Sequence, residues 1–153
     1  MAATRARSGP ERSEPIEQKT LTLTTLKEMK QQGLPITMVT AYDYPTARIV
    51  DEAGIDTMLV GDSAANVVLG YADTIPVTVD ELLHHTRAVR RALLIGAMPF
   101  MSYNVSIEQA IANAGRFPKE ASAEAVKVEG RGWVAKTVAA MVDAGVPVVV
   151  TWG

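Results

Sequence analysis

Five short apolar runs, each separated from the next by a segment with the length and patterning of a helix, constrain this chain more than any other feature. The runs are "ITMVT" (36–40), "DTMLVG" (56–61), "LLIGA" (93–97), "AVKVE" (125–129) and "VPVVVT" (146–151). Parallel strands cannot be joined by tight turns and need crossovers, usually helical. The spacing therefore predicts an α/β fold, a parallel sheet of five strands with at least four helices. "ITMVT" is apolar without alternation, which predicts a strand buried on both faces.

The helix boundaries are written in capping and breaking residues. A first helix is expected over residues 25–32, stopped by Gly33. Pro45 suits a first helical turn, with Gly54 as the stop. Thr78 and Glu81 have the spacing of a capping box that opens a helix running to about residue 91. Ser106 is placed to cap the next helix. Pro118 should kink or end it near Phe117, because proline has no N–H for a helix interior. A last helix is expected over 133–144, closed by Gly145.

Composition narrows the chemistry. With 153 residues, 48% of them hydrophobic, the chain can bury one ordinary core, and no apolar run nears the ~20 residues of a membrane span. There is no cysteine and there are only two histidines, so a metal would need oxygen ligands. The net charge is −2 and the basic residues are scattered, unlike the basic stripe of a nucleic-acid binder. Residues 1–19, rich in Arg, Ser, Pro and Glu, are expected to be a disordered tail with no secretory apolar segment, and residues 20–153 one domain. Arg5 and Arg7 have a transit-peptide flavour that Glu11, Glu14 and Glu17 oppose, and the location expected is cytoplasmic.

In α/β folds ligands gather at the carboxyl ends of the strands. Asp62 and Ser63 follow the second run, Glu129 ends the fourth, and Lys127 lies two residues earlier on the same strand face. Hard oxygen donors of this kind suit Mg²⁺, which keeps several waters, with a 2-oxo acid chelating it through carboxylate and keto oxygens. Spacing leaves rival readings open. Gly-Asp-Ser is also a good turn, and Lys127 has Glu129 or Glu124 as surface partners. Tyr42 and Asp43 could position a substrate or cap the next helix. His84 and His85 lack the i, i+4 partner of a helical metal pair and read as surface or interface residues. "GRG" (130–132) could cradle an anion ahead of a helix, but is too short to be specific.

The stretches "VTAYDYPTARIVDEAGIDTMLVGDSAANVVLGY", "TIPVTVDELLHHTRAVRR", "MPFMSY" and "EAVKVEG" resemble the ketopantoate hydroxymethyltransferase family, in order, over residues 26–147. The resemblance implies a (β/α)8 TIM barrel, of which this chain holds about the first five β/α units, and a homo-oligomeric enzyme of pantothenate synthesis. It implies transfer of a one-carbon unit from 5,10-methylenetetrahydrofolate to 3-methyl-2-oxobutanoate, giving 2-dehydropantoate, with Mg²⁺ holding the oxo acid. Carried over by motif, Asp62 is a metal ligand and Ser63 and Tyr42 are substrate contacts. Lys127 then neutralises the oxo-acid carboxylate, and Glu129 lies near the metal, directly or through water.

Departures from the family accompany the likeness. Where the family carries a second Asp ligand before Met-Pro-Phe, this sequence has Ala97. "AVRRALLIG" is about four residues short, which should drag the following strand or unwind the end of the helix. Thr151 stands where the family has a substrate-contacting His, and the family's Glu base is expected beyond Gly153. The codons of "VVTWG" can read Gly-His-Val-Gly in a frame shifted by one base, so a frameshift just upstream of the end is expected, and sequencing the coding DNA past Gly153 decides it. Part of a barrel leaves two open edges and an apolar interior facing water, which predicts association or partial unfolding. The function expected is the family's, truncated and partly degenerate, with weak or no activity in this chain. The alternatives are a non-catalytic oligomerisation or binding module and another oxo-acid enzyme of the same barrel superfamily.

Overall fold

The computed structural model describes residues 21–90 and 93–151. The expected tail (1–19), the final residue of the helix expected to reach 91 and the Trp-Gly ending lie outside them. The elements run α1 (Leu23–Gln31), β1 (Met38–Thr40), α2 (Tyr44–Glu52), β2 (Thr57–Val60), α3 (Ala64–Val67), α4 (Val79–Val89), β3 (Leu93–Ala97), α5 (Ile107–Ala121), β4 (Ala125–Glu129), α6 (Val134–Asp143) and β5 (Val148–Thr151). All four strand pairings are parallel in the order β1-β2-β3-β4-β5, the succession of adjacent β/α units from which a barrel is wound. Thr40 lies beside Leu59, Val60 beside Gly96, Ala97 beside Lys127 and Glu129 beside Thr151, so the carboxyl ends of the strands form one rim.

Local chemistry sets the helix starts. Thr22 accepts from the Thr25 N–H at 3.2 Å, so α1 begins earlier than residue 25. Asp43 accepts from the Thr46 N–H at 2.8 Å and caps α2. Thr78 and Glu81 form the full capping box: Thr78 Oγ1 accepts from the Glu81 N–H at 3.2 Å, and Glu81 Oε2 from the Thr78 N–H at 2.7 Å. The Tyr71 hydroxyl donates to the other Glu81 oxygen at 2.5 Å. Thr78→Ala should lower stability by about 1 kcal/mol, read as a shift of the urea midpoint. The hydrogen bonds from Tyr71 and Thr78 hold the Glu81 carboxyl below its ordinary range. A carboxyl depressed by folding contributes stability above its unfolded pKa and loses it as pH falls through the folded value. The thermal midpoint should therefore drop on acidification through the carboxylate range, and drop less in Glu81→Gln.

Several expectations are corrected. Ser106 caps α5 through the Gln109 N–H at 3.2 Å, but Pro118 does not end it near Phe117, and the helix continues to Ala121. The missing N–H affects a single final turn, which buried Phe117 and Ala121 anchor to the core. Ser122 then takes a left-handed φ of 55° and donates to the Pro118 carbonyl at 3.2 Å. β1 is shorter than "ITMVT" and exposed throughout instead of buried on both faces. It is an edge strand paired only with β2, and α1 has no buried residue, which leaves Met38 45% and Val39 38% exposed. For the short stretch before β3 the expectation is a dragged strand or an unwound helix end; α4 stops at Val89, short of the expected residue 91, and Leu93 lies beside Thr57.

Alternation along the strands sorts side chains onto two sheet faces. Met58, Val60, Leu94, Val126 and Val128 form one core with Leu82, Leu83, Phe117, Val134 and Met141 from the helices, each at most 1% exposed. Gly96 lets α5 approach this closely, since a Cβ there would lie 2.7 Å from Phe117 Cε1. Leu93, Ile95, Ala97 and Ala125 lie on the other face and are buried as well. The expected exposure of an apolar interior is met at the edge of that face, where Met38 is 45% exposed, and not at its centre, where β3 is buried. Water reaches the side chains of edge strand β1, while those of β3, flanked by strands on both sides, are covered.

Candidate active site at the strand carboxyl ends

A pocket of about 200 Å³ opens at the carboxyl ends of β2, β3 and β4. Asp62, Lys127 and Glu129 form its polar side and Ile75, Met98 and Phe100 its apolar side, with Thr74, Ala97 and Tyr103 completing the lining. The three charged residues named from sequence thus meet at one cavity. Tyr42 and Ser63 are outside its lining and bond each other, hydroxyl to hydroxyl at 2.6 Å, next to Asp62. His85 Nδ1 lies 2.9 Å from the Tyr42 carbonyl oxygen and His84 is exposed; neither lines the pocket.

Gly61-Asp62-Ser63 is a turn as well as part of the pocket. The Ala64 N–H donates to the Gly61 carbonyl at 3.1 Å and the Ala65 N–H to the Asp62 carbonyl at 2.9 Å, leading into α3. That turn uses backbone only, and nothing among the described residues bonds the half-buried Asp62 carboxylate. Lys127 pairs with Glu129; the lysine side chain is 14% exposed and the glutamate 60%. Glu124, the other partner open to Lys127, accepts the Leu94 N–H at 2.8 Å instead. In the "GRG" loop Gly130 is accounted for by packing, because a Cβ there would collide with the Val134 side chain of α6, whereas Gly132 has open space around it.

The donors fit Mg²⁺ in kind and only minimally in number. No group of three or more His, Asp or Glu able to hold a metal occurs among the described residues. Asp62 and Glu129 are hard oxygen donors on one pocket, and Mg²⁺ takes one or two protein carboxylates and fills its shell with water. Glu129, however, is shared with Lys127, and Ala97, 3% exposed beside Lys127, offers no donor.

Tyr103 is, with Thr74 and Ile75, a pocket residue that sequence reasoning missed. It is 7% exposed, and its hydroxyl donates to the Glu129 carbonyl at 3.0 Å and accepts from the Glu129 N–H at 3.2 Å. Burial raises the phenol above its ordinary value, partly opposed by the hydrogen bond to the Glu129 backbone. The loop that delivers it turns at Met101, whose φ of 63° is uncommon for a residue with a Cβ. Asn104 Oδ1 accepts the Met101 N–H at 2.9 Å, and Asn113 Nδ2 donates to the Ser102 carbonyl at 2.7 Å, which hold that geometry. In the sequence "MPFMSY" stands out only through its family likeness.

Consecutive parallel β/α units with a carboxylate-bearing pocket on the carboxyl face define the class, a β/α-barrel protein represented by five of its units. Within that class the chain belongs to the ketopantoate hydroxymethyltransferase family, whose profile matches residues 20–153. It is 54% identical over 138 residues to the 3-methyl-2-oxobutanoate hydroxymethyltransferase of Thermoanaerobacter sp. (strain X514), covering 88% of this chain and 50% of that protein. Identity to the protein of the same name from Heliobacterium modesticaldum (strain ATCC 51547 / Ice1) is 57% over 134 residues, covering 85% and 49%. The chain spans about half the length of these relatives. Among solved structures it is similar to a phosphonopyruvate hydrolase complexed with oxalate and Mg²⁺, with TM-score 0.69, 14% identity and coverage of 83% of this chain and 50% of that one. A 2,3-dimethylmalate lyase, a PEP mutase/isocitrate lyase superfamily member, gives TM-score 0.62 at 15% identity, covering 84% and 51%. At such identities the likeness is one of fold.

Proposed function

We propose that this chain forms the oxo-acid side of a 3-methyl-2-oxobutanoate hydroxymethyltransferase, with Mg²⁺ as cofactor and 5,10-methylenetetrahydrofolate as one-carbon donor. The observation that carries this reading is the convergence of Asp62, Lys127 and Glu129 on one pocket whose other side is apolar. Asp62 and Glu129 would hold the cation, which when bound polarises the keto group and acidifies the neighbouring C–H. Lys127 meets the oxo-acid carboxylate, which takes the place of Glu129 at the ammonium. Ile75, Met98 and Phe100 receive the branched alkyl end, and the Tyr42 and Ser63 hydroxyls stand ready to hydrogen-bond at the Asp62 end. A base must remove the C3 proton before the carbon–carbon bond to the one-carbon unit forms, and no residue of this pocket is assigned that role. Activity of this chain alone is accordingly weak or absent. We place the protein in the cytoplasm as a homo-oligomer; no helix among the described residues is long and apolar enough to cross a membrane.

Ala97 favours a second reading, a module that binds the oxo acid without turning it over. Solvent deuterium exchange at C3 of 3-methyl-2-oxobutanoate in the presence of Mg²⁺ separates the two. Exchange by the unaltered chain that falls at least about tenfold in Asp62→Ala supports metal-assisted proton removal. Binding without exchange supports the module, and the absence of both overturns the proposal.

A further inference from the structure

We propose that Tyr103 is a positioning residue for Lys127 and Glu129, its hydroxyl standing in for a strand at the point where β3 has already ended. As a statement about ligand binding, the proposal rests on the oxo-acid reading of the pocket.

β3 and β4 pair as far as Ala97 beside Lys127. The Lys127 carbonyl accepts the Met98 N–H at 2.9 Å, so the peptide groups of Lys127 face the β3 side. In a parallel ladder the facing alternates from residue to residue, and Glu129, two residues on, turns its own N–H and C=O to that same side. The intervening positions serve β5: the Val126 N–H donates to the Pro147 carbonyl at 3.0 Å and the Gly130 N–H to the Thr151 carbonyl at 3.3 Å. No residue of β3 is left to meet Glu129, because that strand ends at Ala97. The Tyr103 oxygen takes both rungs, donating at 3.0 Å and accepting at 3.2 Å.

One side-chain oxygen thereby keeps β4 extended to its last residue. That geometry aims Lys127 and Glu129, two residues apart on one strand face, at the same pocket. Without the hydroxyl, a peptide N–H and C=O beside a buried ring lose their partner, and the end of β4 is free to fray. The left-handed turn at Met101 fits this role, since it is the conformation that carries the Tyr103 ring beneath the end of β4.

Tyr103→Phe removes only the oxygen. In the full chain, amide hydrogen exchange followed by NMR should show protection at Glu129 falling about tenfold, with Ile95 and Val126 unchanged. Unchanged protection at Glu129 overturns the proposal whether or not ligand binds. Calorimetric titration with 3-methyl-2-oxobutanoate and Mg²⁺ should show affinity about tenfold weaker in Tyr103→Phe. On a background carrying both Lys127→Met and Glu129→Gln the same substitution should have almost no further effect, because the tyrosine acts through these two side chains. Independent, additive losses would overturn the positioning role. If the unaltered chain binds no oxo acid, the proposed function fails, while the Glu129 amide still decides the role of the tyrosine in holding β4.

Discussion

Ala97→Asp is expected to yield a chain less stable than its parent without Mg²⁺ and more responsive to it. Ala97 is 3% exposed, pairs in register with Lys127, and lines the pocket shared by Asp62 and Glu129. A further carboxylate there loses water and meets like charge, so folding without a cation should cost roughly 1–3 kcal/mol more. Pairing with Lys127 or uptake of a proton would relieve part of that cost. A bound Mg²⁺ removes it and gains an oxygen donor. A cation that binds only the folded state stabilises it by about 2.7 kcal/mol at a hundred times its Kd, so tighter binding appears directly as a higher thermal midpoint. With EDTA the variant should melt below the parent. Across a Mg²⁺ titration its midpoint should begin to rise at concentrations about tenfold or more below those the parent needs. Equal responses in the two chains would mean that the cation is not held at this pocket.

The same residue shows where the sequence was legible. The five apolar runs mapped onto β1 to β5 because a strand of a parallel sheet packs under helices on at least one face and so reads as a short apolar run between helical segments, a demand each strand states by itself. Lys127 and Glu129 could be placed together because side chains two apart on a strand share a face, and Asp62 because strand ends collect at one rim. An apolar run declares that it wants cover without naming what supplies it, which is why the exposure of β1 was not foreseen. The effect of Pro118 depends on how firmly Phe117 and Ala121 hold the turn around it, and that is a property of the core. α3 has four residues, too few for a periodic signal. Tyr103 was hidden for a related reason: its role exists because β3 ends while β4 continues, a relation between two strands that neither records alone.

Gly96→Ala and Phe117→Ala are each expected to be severe, and less than additive together. Phe117 heads the fully buried side chains by size, and its removal should cost roughly 3–5 kcal/mol through lost contacts and the cavity left behind. Gly96→Ala drives a methyl to 2.7 Å from Phe117 Cε1, where ring or strand must yield, at roughly 1–3 kcal/mol. Against the roughly 5–15 kcal/mol typical of a domain, either loss is a large share. In the double variant the new methyl enters space the ring has vacated, so the sum should fall short of additivity by roughly 1–2 kcal/mol in a urea-unfolding cycle. The pocket reports on the same clash. Gly96 faces α5, while the next residue, Ala97, belongs to the opposite face and lines the site, so β3 cannot retreat from the ring without moving a wall of the pocket. Oxo-acid affinity should therefore weaken in folded Gly96→Ala and recover in the double variant. Unchanged affinity in Gly96→Ala would show instead that α5 gives way and β3 stays in place.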